Sequence, residues 1–222
     1  ELLARWTQRE TALIATDPMR VPPLALPPLP NGAILGSLSG AEFDRVAREA
    51  ARTAPPRENG GNQDIKNLTA GSRVFYPVFV PGAKLSFGDL HFSQGDGEIT
   101  FCGAIEMGGF MDLHVDLIKG GMAKYGVKEN AIFMPGNRDP QYSEWIAFSG
   151  VSVDSSGKQH YLDSGLAYAN ACHHAIDYLM KFGYTDIQAY MILGTAPVEG
   201  RLSGVVDIPN ACSTIYIPRA IF

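Results

Sequence analysis

No uninterrupted apolar run in the 222 residues approaches the roughly 18 that a membrane-spanning helix needs. No basic cluster appears either. Eighteen Lys and Arg are scattered among 23 Asp and Glu, giving a net charge of −5 and a pI near 5.5. That balance argues against a nucleic-acid face or an anionic-membrane patch and favours a small or neutral partner. A Gly-x-Ser-x-Gly elbow and a Cys-x-x-Cys pair are absent, so nucleophilic serine chemistry and cysteine-bound zinc are unsupported. There is no phosphate-loop glycine pattern, dinucleotide fingerprint, heptad run or internal repeat. Cysteine is scarce: Cys102, Cys172 and Cys212 are an odd number at wide spacing, which predicts free thiols in a reducing compartment, the cytoplasm. The first residues carry no signal-peptide pattern. An initiator Met and a polar tail after Phe222 are also lacking, and the chain is expected to be part of a longer protein.

What is present suffices for a substantial core, with 45% hydrophobic residues over a length that fits one large domain or two intimate ones. Residues 1–60 read as a connecting segment. Its opening can be helical, six prolines between Asp17 and Pro30 then enforce extended backbone, and Ser39 caps a surface helix from Gly40 to Thr53. Residues 61–222 read as a β-rich domain with C-terminal helices. Strand-like stretches fill Ser72 to Asp116 as a meander and continue at Ala131–Met134 and Trp145–Phe148. Asp163 caps a helix reaching Lys181, a second helix covers Asp186 to Leu193, and Cys212–Ile217 is a closing strand. His173 and His174, inside the first of these helices, lack partners at ligand spacing and read as packing or surface residues. The fold class expected is α+β, mainly antiparallel sheet with one or two helices packed on it.

Chemistry concentrates between Gly88 and Glu98, where Asp89, His91, Gln94, Asp96 and Glu98 surround three glycines. The pattern is a hairpin with its turn on Gln94-Gly95-Asp96-Gly97. Side chains alternate along a strand, so Asp89 and His91 share a face, as do Glu98, Thr100, Cys102, Ala104 and Glu106 on the return. An even loop brings the two sets together as a carboxylate–imidazole cluster that can bind a divalent metal or move protons; an odd loop or a bulge separates them. A plainer reading has Asp89 and His91 bonded to each other at a hairpin end while Asp96 and Gly97 make the turn. Asp112, His114 and Asp116 form a rival trio, equally explained as the polar face of a half-solvated strand.

The run Gly88-Asp89-Leu90-His91, Gln94-Gly95-Asp96-Gly97-Glu98 and Glu106, with Gly60-Gly61-Asn62-Gln63-Asp64 upstream, resembles the acetamidase/formamidase family, closest to its formamidase branch. The resemblance covers most of the chain from about Ala33. It implies hydrolysis of a short linear amide, formamide first, to the carboxylic acid and ammonia. Asp89 and His91 would hold a divalent metal, zinc before calcium because zinc accepts mixed oxygen and nitrogen donors. Glu106 or Glu98 would be the base, with Glu106 deeper in the sheet, and Asn62 and Asp64 would contact substrate. It also implies a homo-oligomer and association with an N-terminal part of the same protein. The competing classes are a non-catalytic, metal-stabilised β-sandwich binding module and a structural subunit.

Overall fold

A computed structural model describes residues 1–22, 26–27, 29–33, 35–49, 52–101 and 104–222. Cys102 therefore lies outside the described residues. The chain divides into two compact units that do not correspond to a single cut in sequence. The first comprises Glu1–Asp64, Phe75–Ala83 and Ile118–Ile132, and the second Ile65–Val74, Lys84–Leu117 and Phe133–Phe222.

In the first unit, helix α1 (Leu2–Thr16) buries Trp6 and Glu10 on one face. A buried carboxylate is stable only when paired, and Glu10 accepts from Arg57 Nη1 at 3.3 Å. The Arg57 guanidinium also lies 4.6 Å from the centroid of the Trp6 ring. Glu58 takes the Trp6 indole N–H at 2.7 Å and Arg9 Nη1 at 2.6 Å, and the Arg9 hydrogen bond is the chief reason its carboxyl drops to about 2. Helix α2 (Gly40–Glu49) buries Ala47 and turns Asp44, Arg45 and Glu49 outward. The expected helix ran to Thr53; residues 50 and 51 lie outside those described. Among its described residues the proline-rich stretch forms no α-helix, as the missing N–H groups and fixed φ lead one to expect: residues 18–20 turn on the Asp17 carbonyl, and a 3-10 turn follows at Pro30–Gly32. Short helix α3 spans Gly121–Tyr125.

The second unit is organised on an antiparallel sheet. Strands β5 (Trp145–Val151), β7 (Cys212–Pro218) and β6 (Glu199–Gly204) lie in the order β5-β7-β6. Alternation along β7 buries Ser213, Ile215 and Ile217 under α4 (Ser164–Met180) and α5 (Asp186–Thr195). Ala171, Cys172, Ala175 and Leu179 of α4 meet Ala189 and Leu193 of α5 there, with Val198 between. The Asp163 carboxylate caps α4 through the Leu166 N–H at 2.9 Å, and Thr185 with Gln188 makes a capping box on α5. Both helices and the closing strand stand within about two residues of their expected bounds, and the class is α+β. His173 is exposed and His174 Nδ1 bonds the Ser149 carbonyl at 2.8 Å.

The expected meander is sparser than its periodicity. Between Ser72 and Asp116 only β1 (Arg73–Phe75), β2 (His91–Gln94) and β3 (Ala104–Glu106) form among the described residues, and β4 (Ile132–Met134) follows. Alternation marks which residues suit a sheet, but a strand exists only where a second edge accepts its hydrogen bonds.

Candidate active site

Strands β2 and β3 pair antiparallel, with Gln94 opposite Ala104, Ser93 opposite Ile105 and His91 opposite Glu106. An unbroken register would set Phe92 against Glu106. A one-residue irregularity between His91 and Ser93 puts His91 there instead and leaves Phe92 exposed. The expected turn at Gln94–Gly97 with Glu98 opening the return strand is thereby corrected: the return begins at Ala104, and nine residues separate it from Gln94. His91 and Glu106 meet because a bulge compensates an odd connection.

One ligand atom each from Asp89, His91 and Glu106 lies within 4.8 Å of the others. The His91 side chain is 9% exposed, and its Nε2 is buried without a hydrogen-bond partner among the described residues, 3.7 Å from Asp89 Oδ1. That gap removes the plain reading in which Asp89 and His91 satisfy each other. A buried imidazole nitrogen left open beside two carboxylates costs free energy unless something else fills the site. Glu106, expected deep in a sheet, is exposed in this chain because β3 is an edge strand of three residues. Asp112, His114 and Asp116 form no such convergence among the described residues.

Glu98 sits in the connection at φ 40°, its carbonyl taking the Phe101 N–H at 2.8 Å and its carboxylate the Gln94 amide at 3.4 Å. One carboxylate oxygen of Glu98 comes within 4.8 Å of one from Asp89. Asn62 and Asp64 belong to the loop after Arg57 in the first unit. There Gly61 N–H bonds Asn59 Oδ1 at 3.3 Å and Gln63 bonds Asn130 at 3.1 Å. Nine non-glycine described residues have positive φ, and four of them are Asn62, Asp64, Asp89 and Glu98. Such conformations cost energy and collect where a side chain must be aimed.

Sequence reasoning took Asp96 for a turn residue, but the fold uses it as an anchor. Its Oδ2 accepts the Gly200 N–H at 2.9 Å, its carbonyl accepts the Tyr168 hydroxyl at 2.9 Å, and its N–H bonds Val198 at 3.0 Å. Ser93 adds a hydroxyl bond to the Thr195 carbonyl. A Cβ at Gly95 would meet the Ala196 oxygen at 2.6 Å, and one at Gly97, where φ is +90°, would meet Tyr168 at 2.7 Å. Burial raises the Asp96 carboxyl, opposed by the Gly200 N–H and Lys66. The two glycines are the local signal; the partners are about a hundred residues away.

Two other features of the second unit fit the chemistry less well. A cavity of about 730 Å³ near Tyr178, Phe182, Tyr184 and Phe222 has one opposed ionic pair, Glu144 and Arg219, already joined at 3.0 Å. Asp154 and His160 pair at 2.7 Å, but Ser156 and Lys158 occupy the other Asp154 oxygen and no third acid joins them among the described residues.

The family model described as Acetamidase/Formamidase matches residues 1–222. The chain is 61% identical over its whole length to a formamidase of Methylophilus methylotrophus, covering 54% of that protein. It is 66% identical to an acetamidase of Mycolicibacterium smegmatis over 90% of this chain and 50% of the other. A solved gamma lactamase from Delftia acidovorans superposes with a TM-score of 0.93 at 62% identity, over 99% of this chain and 54% of that one. The chain thus spans about half the length of the relatives it matches.

Proposed function

Since this chain belongs to the acetamidase/formamidase family, we propose that the longer protein containing it hydrolyses a short linear amide, formamide first, to the carboxylic acid and ammonia. The relatives are named for formamide, acetamide and a lactam, substrates with one carboxamide C–N bond in common. The observation that carries the reading is the buried His91 Nε2, without a hydrogen-bond partner among the described residues, in a cluster where one donor atom each from His91, Asp89 and Glu106 lies within 4.8 Å of the others.

Those residues fit a divalent ion: an open imidazole nitrogen and carboxylates with spare lone pairs suit zinc, whereas calcium would take oxygen donors alone. When bound, such an ion supplies Lewis acidity, stabilising charge on the amide oxygen and lowering the pKa of water. Asp89 and His91 hold it. Glu106 Oε takes the proton of the water that attacks the amide carbon and returns it to the leaving nitrogen. Asn62 and Asp64, both in left-handed backbone, bind the amide. Two free thiols among the described residues, Cys172 and Cys212, favour a reducing cytoplasm, and no helix of the described residues is long and apolar enough to cross a membrane. A homo-oligomer, and association with the N-terminal part of the same polypeptide, belong to the same reading.

The shared distance favours one second reading, in which Glu106 is a third ligand and Glu98, beside Asp89, moves the proton. Ammonia release from formamide and acetamide and ring opening of a small lactam by the full-length protein, with metal content, decide among these. Glu106→Gln should keep the metal and lose about 10²–10⁴ in turnover, and His91→Ala should lose both. Metal lost from Glu106→Gln transfers the base to Glu98. Full turnover in His91→Ala puts the reaction elsewhere, and a wild-type protein that neither releases ammonia nor opens the lactam leaves a binding module or a structural subunit.

A further inference from the structure

From Met107 to Ile118 the chain runs without a turn or bend, and every residue from Ile105 to Leu117 is exposed. Met107 N–H bonds the Leu90 carbonyl at 2.8 Å, the end of the β2–β3 ladder. Beyond it no backbone–backbone hydrogen bond joins residues 108–117 to anything among the described residues. The alternation is nevertheless that of a sheet strand: Leu113, Val115 and Leu117 on one face, Asp112, His114 and Asp116 on the other. Phe110 and Met111 precede it, both exposed. An exposed apolar strand with open edges is a template for pairing, and folded proteins do not leave one bare.

We propose that residues 109–117 form an interior strand of a sheet whose neighbouring strands come from the part of the polypeptide outside these 222 residues. The proposal rests on the reading that the working enzyme is longer than this chain. Two observations select that occupant over a second copy. Both backbone edges of the segment are open among the described residues, and a two-fold symmetric pairing of one edge with itself would fill only one of them. The chain covers 50–55% of the curated relatives' length, so a comparable length of polypeptide is tethered at high effective concentration. Within such a sheet, parity sends Leu113, Val115 and Leu117 to a core and Asp112, His114 and Asp116 to a solvated face. The polar trio is then the outside of a sheet rather than a ligand set.

The test uses the full-length protein and reads structure, so it is independent of amide turnover. Hydrogen exchange should find the amides of residues 110–116 slowed at least about 100-fold relative to free-peptide rates. Val115→p-benzoylphenylalanine, photolysed, should give an adduct that migrates at single-chain mass on a denaturing gel. Its cross-linked peptide should map outside this segment. Exchange at free-peptide rates overturns the proposal, whether or not the substituted protein folds. A product of doubled mass assigns the strand to a second copy and overturns it as well. So does a single-chain adduct mapping within these 222 residues.

Discussion

Strand β7 and the stretch Met111–Leu117 share a period of two. In β7 the inward residues Ser213, Ile215 and Ile217 are 4%, 0% and 1% exposed. Leu113, Val115 and Leu117, at corresponding steps, are 49%, 70% and 65% exposed. The difference is in what lies beside them. β7 has β5 on one edge, β6 on the other and α4 over its face, whereas Met111–Leu117 has no strand on either edge among the described residues. Alternation specifies a face; it does not supply the neighbour that covers it. Burying a side chain of this size stabilises by about 1.5–3 kcal/mol, and the second stretch has yet to realise that gain in this chain.

Core truncation is the largest expected effect. Ile215→Ala in the full-length protein should cost about 3 kcal/mol, a transfer loss plus a cavity, read as a fall in denaturation midpoint at constant slope. A cost under about 1 kcal/mol would mean that β7 is not the packed centre described. Gly97→Ala should cost about 2 kcal/mol, since it forces a Cβ into Tyr168 at a positive φ. It should also loosen the connection carrying Glu98. Val115→Ala sharpens the contrast directly: as an interior strand residue it loses about 1.5 kcal/mol for two methyl groups, and as the exposed residue of this chain it stays within about 0.5 kcal/mol.

How far each region could be read follows from the range of its interactions. Helix α4 was legible in extent because its cap, Asp163, is local, but of the stripe expected at Leu166, Ala169, Cys172, Ile176, Leu179 and Met180 only Cys172 and Leu179 are buried, and Ala167, Ala171 and Ala175 fill the rest of the packed face. The Thr185–Gln188 box that opens α5 is equally local. The nearness of three candidate residues was legible, but not its construction. Asp89, His91 and Glu106 do converge, through a bulge at Phe92 that no residue pattern signals. Glu98 left the strand assigned to it because the connection is nine residues, not four. The anchoring of Asp96 on Tyr168 and Gly200 spans 72 and 104 residues, beyond any period in the chain.

The smallest effects compare two carboxylates, one in each unit, whose environments push in opposite directions. Glu58 is held down to about 2, first by its hydrogen bond from Arg9. A depressed acid contributes stability that is present above its ordinary 4.5 and lost as pH falls toward about 2. Arg9 is half exposed, so Glu58→Gln should cost no more than about 1 kcal/mol near neutrality. Asp96 is raised, first by burial. Its contribution is therefore present below the ordinary 3.8 and lost as pH rises from there through the folded value, because the folded state binds the proton more tightly than the unfolded one. Asp96→Asn keeps an oxygen for the Gly200 N–H while removing the charge. The stability of wild type relative to this variant should be greatest in acid and decline as pH rises through that window. Relative to Glu58→Gln it should climb over the acid range instead. Denaturation curves taken from pH 2 to 7 read both differences. If the two move in parallel, the Asp96 carboxyl is better solvated than its anchored position implies, and the turn is held by the Tyr168 and Val198 bonds alone.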